Sequence, residues 1–187
     1  MEILQTTLPD VLVLVPTVHG DQRGFFHETF RRDDFADALA GAEFVQENHS
    51  RSSRGVLRGM HLQVGDGLGK LVRCARGSIF DVAIDLRRGS PTYGGWEGFE
   101  LDDQNLHQLW IPVGFAHGFY THSELADVIY KQTAYYAPTL ERSIAWNDPD
   151  IGVRWPLDGE PLLAARDVQA PRLRDLADEL PFVYGAD

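Results

Sequence analysis

The sequence has little cysteine and little positive charge, and each shortage excludes a class of protein. Cys74 is the only cysteine in 187 residues, so no intrachain disulfide can form, which fits a reducing compartment. Lysine and arginine together number 17 against 28 aspartates and glutamates, and the net charge is -11. Binding to a phosphate backbone needs clustered basic residues, so we expect no nucleic-acid partner. A small anionic ligand needs only a few local basic groups and is not excluded by this charge.

Long apolar runs are also lacking. The first apolar run, Val11 to Val15, has five residues, and the N-terminus carries no basic segment of the secretory kind. No run approaches the length that crosses a bilayer, so we expect a cytoplasmic protein with no membrane partner. The content of 43% hydrophobic and 11% aromatic residues is typical of a globular protein with a substantial core.

Short apolar segments separated by glycine and proline turns fill most of the chain. They predict strands over residues 11–15, 25–30, 44–50, 55–63, 70–75, 78–86, 95–101, 108–111, 118–122 and 126–137. Acidic residues at one end and Gly41 at the other predict a short helix over 33–40. Arg76-Gly77 between two strands predicts a hairpin. In the strand over 78–86, Asp81 and Asp85 alternate with apolar residues, which is typical of a half-buried strand.

The chain after Pro138 has a different character. Repeated prolines predict an irregular tail with one or two helical turns around residues 172–179. Many short strands with very little helix indicate an all-β sandwich or barrel of the jelly-roll kind. The sequence contains no repeat or linker, so we predict one domain over residues 1–187.

The segment Arg58-Gly-Met-His-Leu-Gln63 carries the first candidate for chemistry. As a strand it places His61 and Gln63 on one face with Leu57, and Arg58 with Met60 and Leu62 on the other. The pKa of histidine is near neutrality, which suits proton abstraction by a ring held on a rigid strand. A buried structural histidine is the alternative that the strand pattern alone leaves open.

A metal site is disfavoured by the same segment. Small β-barrels often hold a metal through two histidines on one strand with a carboxylate and a third histidine, and here Gln63 stands where the second histidine would be. The remaining pair, His61 and His117, falls short of the usual protein ligand set. We therefore predict no metal.

Other side chains can bind an anion or a flat ring. Lys70 shares its predicted strand face with Val72 and Cys74, where an ammonium can stabilise negative charge on an oxygen. Arginines such as Arg58 and Arg23 suit diphosphate because the guanidinium donates in pairs. For the remaining candidates, the residues leave pocket lining and core packing both open: His117 within 112–119, Tyr130, and Tyr136 beside Pro138.

Taken in order, nine segments resemble the dTDP-4-dehydrorhamnose 3,5-epimerase family. They are GDQRGFF (20–26) with Glu28, VQENHS (45–50), VLRGMHLQ (56–63), GKLVRC (69–74), GSIFDVAIDLR (77–87), SPTYG (90–94), LWIPVGFAHGF (109–119), YKQTAYYAP (130–138) and LAARD (163–167). The resemblance implies a cupin-type jelly-roll barrel of antiparallel strands, a homodimer, and no metal or organic cofactor. The implied substrate is dTDP-4-dehydro-6-deoxy-D-glucose, which the family inverts at C3 and C5 to give dTDP-4-dehydro-L-rhamnose.

The resemblance also implies a role for each site residue. His61 is similar to the catalytic base, Asp167 to the carboxylate that orients it, Tyr130 to the acid on the opposite face, and Lys70 to the lysine beside the C4 oxygen. Residues in segments similar to nucleotide and diphosphate contacts, partly from the partner subunit, are Arg23, Phe26, Glu28, Gln46, Asn48 and Arg58. Tyr136 is matched to thymine or sugar contact, and His117 to a positioning histidine.

Some features depart from the family pattern or leave other functions open. Met60 and Leu62, on either side of His61, depart from the family pattern, and the loop over 64–69 is a little shorter than in the family. Strand alternation also places Arg58 opposite His61, so Arg58 would have to reach phosphate at a strand end or across a subunit boundary. The alternatives are a related single-carbon epimerase or ketoisomerase, a non-catalytic carbohydrate-binding jelly roll, and a metal-dependent dioxygenase.

Overall fold

The computed structural model describes residues 1–33, 39 and 41–185. Its strands are β1 (Glu2–Gln5), β2 (Leu12–Val15), β3 (Val18–Asp21), β4 (Gly24–His27), β5 (Gln46–Ser53), β6 (Leu57–Gln63), β7 (Lys70–Arg76), β8 (Ser78–Asp85), β9 (Trp96–Asp102), β10 (Gln108–Ile111), β11 (Phe115–Thr121), β12 (Leu125–Gln132) and β13 (Glu141–Ser143). Two short helices, α1 (Ala165–Val168) and α2 (Leu173–Leu176), lie in the tail, and a 3₁₀ turn (Ala177–Glu179) follows α2.

Two antiparallel sheets form the body of the molecule. One has the order β1-β2-β10-β7-β12-β5, the other has the order β13-β6-β11-β8-β9, and β3 pairs with β4 in a separate hairpin. Side chains from both sheets meet in one buried core, with Val72 and Val128 from the first sheet against Ile79 and Phe119 from the second. This sandwich agrees with the predicted cupin-type jelly roll, because apolar side chains alternate inward from both sheets.

Each predicted strand has an observed counterpart, with ends that differ by a few residues. The sequence pattern missed β1, β3, β13 and α1, each of them three or four residues long. β3 lies between two predicted strands, and β13 and α1 fall in the tail predicted as irregular. The helical turns predicted around 172–179 are confirmed by α2 and the turn after it. Most of the helix predicted over 33–40 lies outside the described residues.

The hairpin predicted at Arg76-Gly77 is wrong. β7 pairs with β10 and β12, whereas β8 pairs with β9 and β11, so the chain passes from one sheet to the other at Gly77. Gly77 has a φ of 77°, and a Cβ there would lie 2.1 Å from the carbonyl oxygen of Leu125. Glycine is required because the backbone turns tightly there with a positive φ. A hairpin turn also favours glycine at a positive φ, so the sequence pattern could not distinguish the two.

The prediction that β8 is half-buried is also wrong. Asp81 and Asp85 are both fully buried. Asp81 shares its side of β8 with Ile79, which packs in the core between the sheets. The other side of β8 packs against Leu173 and Leu176 of the tail, so α2 covers the surface that an open sheet would show to water. No helix within the described ranges has the length and apolar character needed to span a membrane.

Candidate active site

A register break in β6 turns two candidate residues toward the same side. His117 of β11 faces His61, and Phe119 faces Arg58, so the step of two residues on β11 is matched by three on β6. The side-chain alternation is thereby interrupted between Arg58 and His61. This corrects the predicted placement of Arg58 on the opposite face and removes the need for it to reach around the strand.

Two glycines allow the close approach of the strands at this break. A Cβ on Gly59, whose φ is 131°, would lie 2.5 Å from the Cα of Gly118. Beyond the break, Leu57 pairs with Tyr120 rather than sharing the face of His61, as the alternation had predicted. Met60 and Leu62 are buried and pack against Leu173 and Leu176 of the tail.

The tail brings a carboxylate to His61. The Nε2 atom of His61 lies 2.7 Å from Oδ1 of Asp167, which is contributed by α1 at a separation of 106 residues along the chain. The side chain of Asp167 is 1% exposed and that of His61 is 18% exposed. The carboxylate is thus sheltered, while one edge of the ring is open to a cavity. Such a buried ionic hydrogen bond fixes both the orientation and the tautomer of an imidazole.

Tyr130 and Lys70 approach from the other sheet. They lie on β12 and β7, where Tyr130 pairs with Val72 and Lys70 pairs with Gln132. The ammonium of Lys70 donates to the carbonyl oxygen of His61 over 3.5 Å. Burial lowers the pKa of Lys70 to about 8, and the negative charges of Asp81 and Glu141 act in the opposite direction. Burial raises the pKa of Tyr130, which favours its protonated form, while the positive charge of Arg58 opposes this rise.

Two adjoining cavities, of about 380 and 360 Å³, lie over these side chains. Residues common to both cavities are His61, Lys70, Tyr130 and Arg166. The first cavity is also lined by Gln46, Asn48 and Tyr136, and the second by Arg58, His117 and Asp167. The structure therefore brings together nine of the twelve predicted site residues, and together the cavities are large enough for a small ligand.

The amides of the first cavity are held in a chain of hydrogen bonds. Gln46 donates to Asn48 over 3.0 Å, Asn48 donates to Gln132 over 2.9 Å, and the backbone N–H of Tyr136 donates to Gln46 over 2.9 Å. Their orientations are set before a ligand arrives. Such pre-orientation lowers the entropy cost of binding.

His117 and Arg58 are held in the second cavity. Nε2 of His117 lies 2.8 Å from Oδ2 of Asp81, and burial lowers the pKa of His117 although Asp81 opposes this. A neutral His117 donates its Nε2–H to Asp81, whose other oxygen has no partner among the described residues. Arg58 donates to the hydroxyl of Ser52 over 3.0 Å, which holds its guanidinium beside the cavity.

Three predicted binding residues lie away from these cavities in the same chain. Arg23, Phe26 and Glu28 belong to the β3–β4 hairpin and the residue that follows it. Arg23 is exposed and donates to Asp21 over 3.0 Å, Phe26 is 70% exposed, and Glu28 pairs with Arg31 over 2.7 Å. The structure therefore does not bring these three residues to the cavities of their own chain.

Some cavity residues were not expected from the sequence. Arg166 and Glu141 line the first cavity, and Asp81 holds His117. Arg166 precedes Asp167, so its position next to a predicted site residue was an available signal. Glu141 and Asp81 gave no such signal. Glu141 lies in the proline-rich tail, and Asp81 was predicted to lie on the polar face of a strand. Within the described part of the chain, no three His, Cys, Asp or Glu side chains are grouped so that they can hold a metal.

The fold and the cavity together define a class of protein. A rigid sandwich that sets an imidazole–carboxylate pair against a tyrosine and a lysine has the groups of an enzyme that moves protons. The chain belongs to the dTDP-4-dehydrorhamnose 3,5-epimerase family, whose sequence model matches residues 5–175.

Individual relatives are similar to this chain in sequence and in fold over nearly its whole length. The dTDP-4-dehydrorhamnose 3,5-epimerase of Salmonella typhimurium is 52% identical over 175 residues, which cover 92% of this chain and 96% of that protein. A 3,5-epimerase of Legionella pneumophila, solved with dTDP-4-keto-L-rhamnose, superposes with a TM-score of 0.96 at 44% identity over 99% of each chain. A 3'-monoepimerase of Streptomyces bikiniensis, solved with dTDP-quinovose, superposes with a TM-score of 0.90 at 35% identity over 96% of this chain and 92% of that one.

Proposed function

We propose that this protein converts dTDP-4-dehydro-6-deoxy-D-glucose to dTDP-4-dehydro-L-rhamnose by inverting C3 and C5. One observation carries the proposal: the two sheets place a carboxylate-bound histidine and a tyrosine around the same cavities. Inversion at carbon needs a proton acceptor on one face of the sugar and a proton donor on the other. His61 on one sheet and Tyr130 on the facing sheet supply both.

The chemistry of the substrate matches these groups. C3 and C5 both flank the C4 ketone, so removal of either proton sends the electrons of the broken C–H bond to the C4 oxygen as an enolate. In our proposal His61 takes the proton. Because Nε2 of His61 contacts Asp167, the ring accepts at Nδ1, and the Asp167 carboxylate stabilises the imidazolium that forms.

Lys70 supports the enolate in this proposal. An ammonium beside the C4 oxygen stabilises negative charge that is larger in the transition state than in the ketone. With a pKa of about 8, Lys70 remains mostly protonated at pH 7. Tyr130 then gives its proton to the carbon from the opposite face, and the C4 oxygen returns its electrons to re-form the ketone. The raised pKa of Tyr130 keeps its hydroxyl protonated before this transfer.

The deuterium content of the product tests this function. The protein is incubated with its keto-sugar nucleotide in heavy water, deuterium at C3 and C5 is measured in the whole sugar-nucleotide pool, and a second sample is coupled to a reductase that accepts only the rhamnose-configured ketone. We expect deuterium at both C3 and C5, and none with His61→Ala. Deuterium at one carbon alone would instead indicate a single-carbon epimerase, the activity named for the Streptomyces bikiniensis relative. No exchange at either carbon would refute the proposal and favour a binding protein.

We also propose a homodimer in which the β3–β4 hairpin completes the partner's site. Phe25 and Phe26 are 60% and 70% exposed on this hairpin, and large exposed aromatics are typical of interface anchors. Arg23 next to them offers a guanidinium for a diphosphate, and Glu28 follows the same hairpin. Arg58, Gln46 and Asn48 would bind the rest of the nucleotide from the subunit that holds the base.

Subunit complementation tests the shared site. His61→Ala and Arg23→Ala are each expected to be nearly inactive. After the two variants are mixed, unfolded and refolded together, one site of each heterodimer would combine an intact His61 with an intact hairpin, so activity should return. If both residues acted within one chain, each mixed dimer would remain as inactive as its parents.

We also propose that the chain forms one domain that works in the cytoplasm. The tail supplies Asp167 to the site and Leu173 to the core, which supports a single unit. Cys74 is free and buried, and an unpaired cysteine fits a reducing compartment.

A further inference from the structure

Glu141 is a carboxylate in the wall of the first cavity that the proposed chemistry does not use. It lies on β13, where it pairs with Gln63, and Ser143 two positions later pairs with His61. Glu141 is therefore on the same face of the sheet as the proposed base, and its side chain is 20% exposed. A negative charge at this place opposes the binding of an anionic sugar nucleotide unless a cation compensates it.

Arg166 supplies that cation and connects Glu141 to the catalytic pair. Its Nη1 donates to Oε2 of Glu141 over 2.6 Å, and the hydroxyl of Tyr136 donates to the same oxygen over 2.9 Å. Its Nε lies 3.6 Å from Oδ1 of Asp167, the oxygen that contacts His61. One guanidinium thus spans two carboxylates on different elements and lines both cavities.

We infer that Arg166 is a positioning residue of the epimerisation site, which holds Glu141 and Asp167 in place and cancels the charge of the wall beside Tyr130 and Lys70. The catalytic consequence of this inference rests on the proposed function. Arg166 itself transfers no proton, because a guanidinium stays protonated at any pH at which the protein is folded.

The effect of the pair on Tyr130 supports this inference. Glu141 raises the pKa of Tyr130 and Arg166 lowers it, while burial is the largest cause of its raised value. Glu141 also raises the pKa of Lys70. The charged and titratable groups around these two side chains are His49 on β5, Arg58 and His61 on β6, Asp81 on β8, His117 on β11, Tyr136 after β12, Glu141 on β13, and Arg166 and Asp167 on α1. Among them, Glu141 and Arg166 form a directly bonded pair whose charges cancel.

Charge removal in both members of the pair tests the inference. In Arg166→Gln, the charge of Glu141 is uncompensated, so KM should rise by about five-fold, which is the effect of one partly screened charge at a few ångströms. Because Arg166 lowers the pKa of Tyr130, its removal should also move the fall of kcat/KM at high pH to higher pH. Arg166→Lys should restore most of KM. The double variant with Glu141→Gln should return the high-pH fall to its wild-type position.

Arg142→Gln is the matched control. Arg142 follows Glu141 on β13 and pairs with Glu179 over 2.9 Å on the other face, so its loss removes an arginine–glutamate ion pair that lies away from the cavities. It should leave KM and the pH profile unchanged. An equal change in Arg142→Gln would show that the effect of Arg166 is general and would overturn the inference.

The remaining outcomes separate this inference from the proposed function. An unchanged KM and pH profile in Arg166→Gln, or a double variant no better than Arg166→Gln, would overturn the role of Arg166 even if the wild type exchanges deuterium. If Arg166→Gln fails to fold, Glu141→Gln in its place must move the high-pH fall to lower pH, and no movement refutes the inference. If the wild type catalyses no exchange, ultraviolet titration of Tyr130, with Tyr130→Phe as the blank, still reports whether the pair shifts its pKa.

Discussion

Asp167→Asn removes the charge of the His61 partner and keeps its shape. The carboxylate is almost fully buried and contacts Nε2 of His61 at 2.7 Å. An amide can still contact the ring, but it cannot offset the positive charge that forms on the imidazole when it takes a proton. We therefore expect the substitution to slow proton abstraction and to leave substrate binding nearly unchanged.

The magnitude follows from the kind of contact that is lost. A hydrogen bond to a charged group contributes about 1.5 to 3 kcal/mol. Because this charge pair exists fully only after the proton has moved, most of that free energy is lost from the transition state. Each 1.36 kcal/mol is a factor of ten in rate, so the exchange rate should fall by about ten- to a hundred-fold.

The rate of deuterium uptake at C3 and C5 measures this step directly. Asp175→Asn is the control, since Asp175 lies in the same tail on α2 with a side chain that is 58% exposed and only loosely paired with Arg174. A melting curve on each variant separates a catalytic defect from an unfolded tail. Exchange at the wild-type rate in a folded Asp167→Asn protein would refute the role of Asp167 as the partner of the base.

Three further substitutions test the other parts of the site. Tyr130→Phe should lower epimerisation by about a hundred-fold or more and exchange by much less, because abstraction needs only the base, and equal losses in the two assays would count against its role as the acid. Lys70→Met should abolish activity yet stabilise the protein at pH 7 by up to about 3 kcal/mol in urea titrations, since burial lowers the pKa of Lys70 from 10.5 to about 8. The folded protein releases the Lys70 proton at a lower pH than the unfolded protein does, so the stability gain of Lys70→Met should shrink as the pH rises from about 8 toward 10.5. Wild-type activity should fall as the pH rises through about 8. A stability gain or an activity that does not change with pH would contradict the corresponding prediction. Gly118→Ala should destabilise the fold by about 1 to 3 kcal/mol and reduce activity, because its Cβ would lie 2.7 Å from Sδ of Met60 and 2.8 Å from the carbonyl oxygen of Arg58; unchanged melting would show that the strands can separate freely.

Local patterns predicted most of the strands but not the way in which they join. Alternation and turn residues depend on neighbours along the chain, so β2, β10 and most other strands were predictable within a few residues. The corner at Gly77 was not, since a glycine with positive φ serves a sheet crossover as well as a hairpin. Asp81 and Asp85 are buried on the side of β8 that Ile79 shares, which packs toward the other sheet, while the tail covers the opposite side, and neither contact can be predicted from β8 alone.

The site shows the same division. His61 and Lys70 could be selected by their strand positions, but only resemblance connected them to Asp167, because contacts across 106 residues leave no periodic signal. The shared face of Arg58 and His61 depends on a break in register that strict alternation excludes. The link from Arg166 to Glu141 was invisible for a similar reason, since it joins two short elements of an apparently irregular tail.

The distance along the chain between His61 and Asp167 has a consequence for the nascent protein. A growing chain that has already formed β6 holds the imidazole but lacks its carboxylate until the segment around α1 has been synthesised and docked. The strands around the cavities can thus assemble while the proposed proton-transfer pair is still incomplete. The carboxylate that orients His61 comes from a segment synthesised 106 residues after it, so a partly made or partly unravelled molecule would be poorly equipped for the proposed removal of protons from keto sugars.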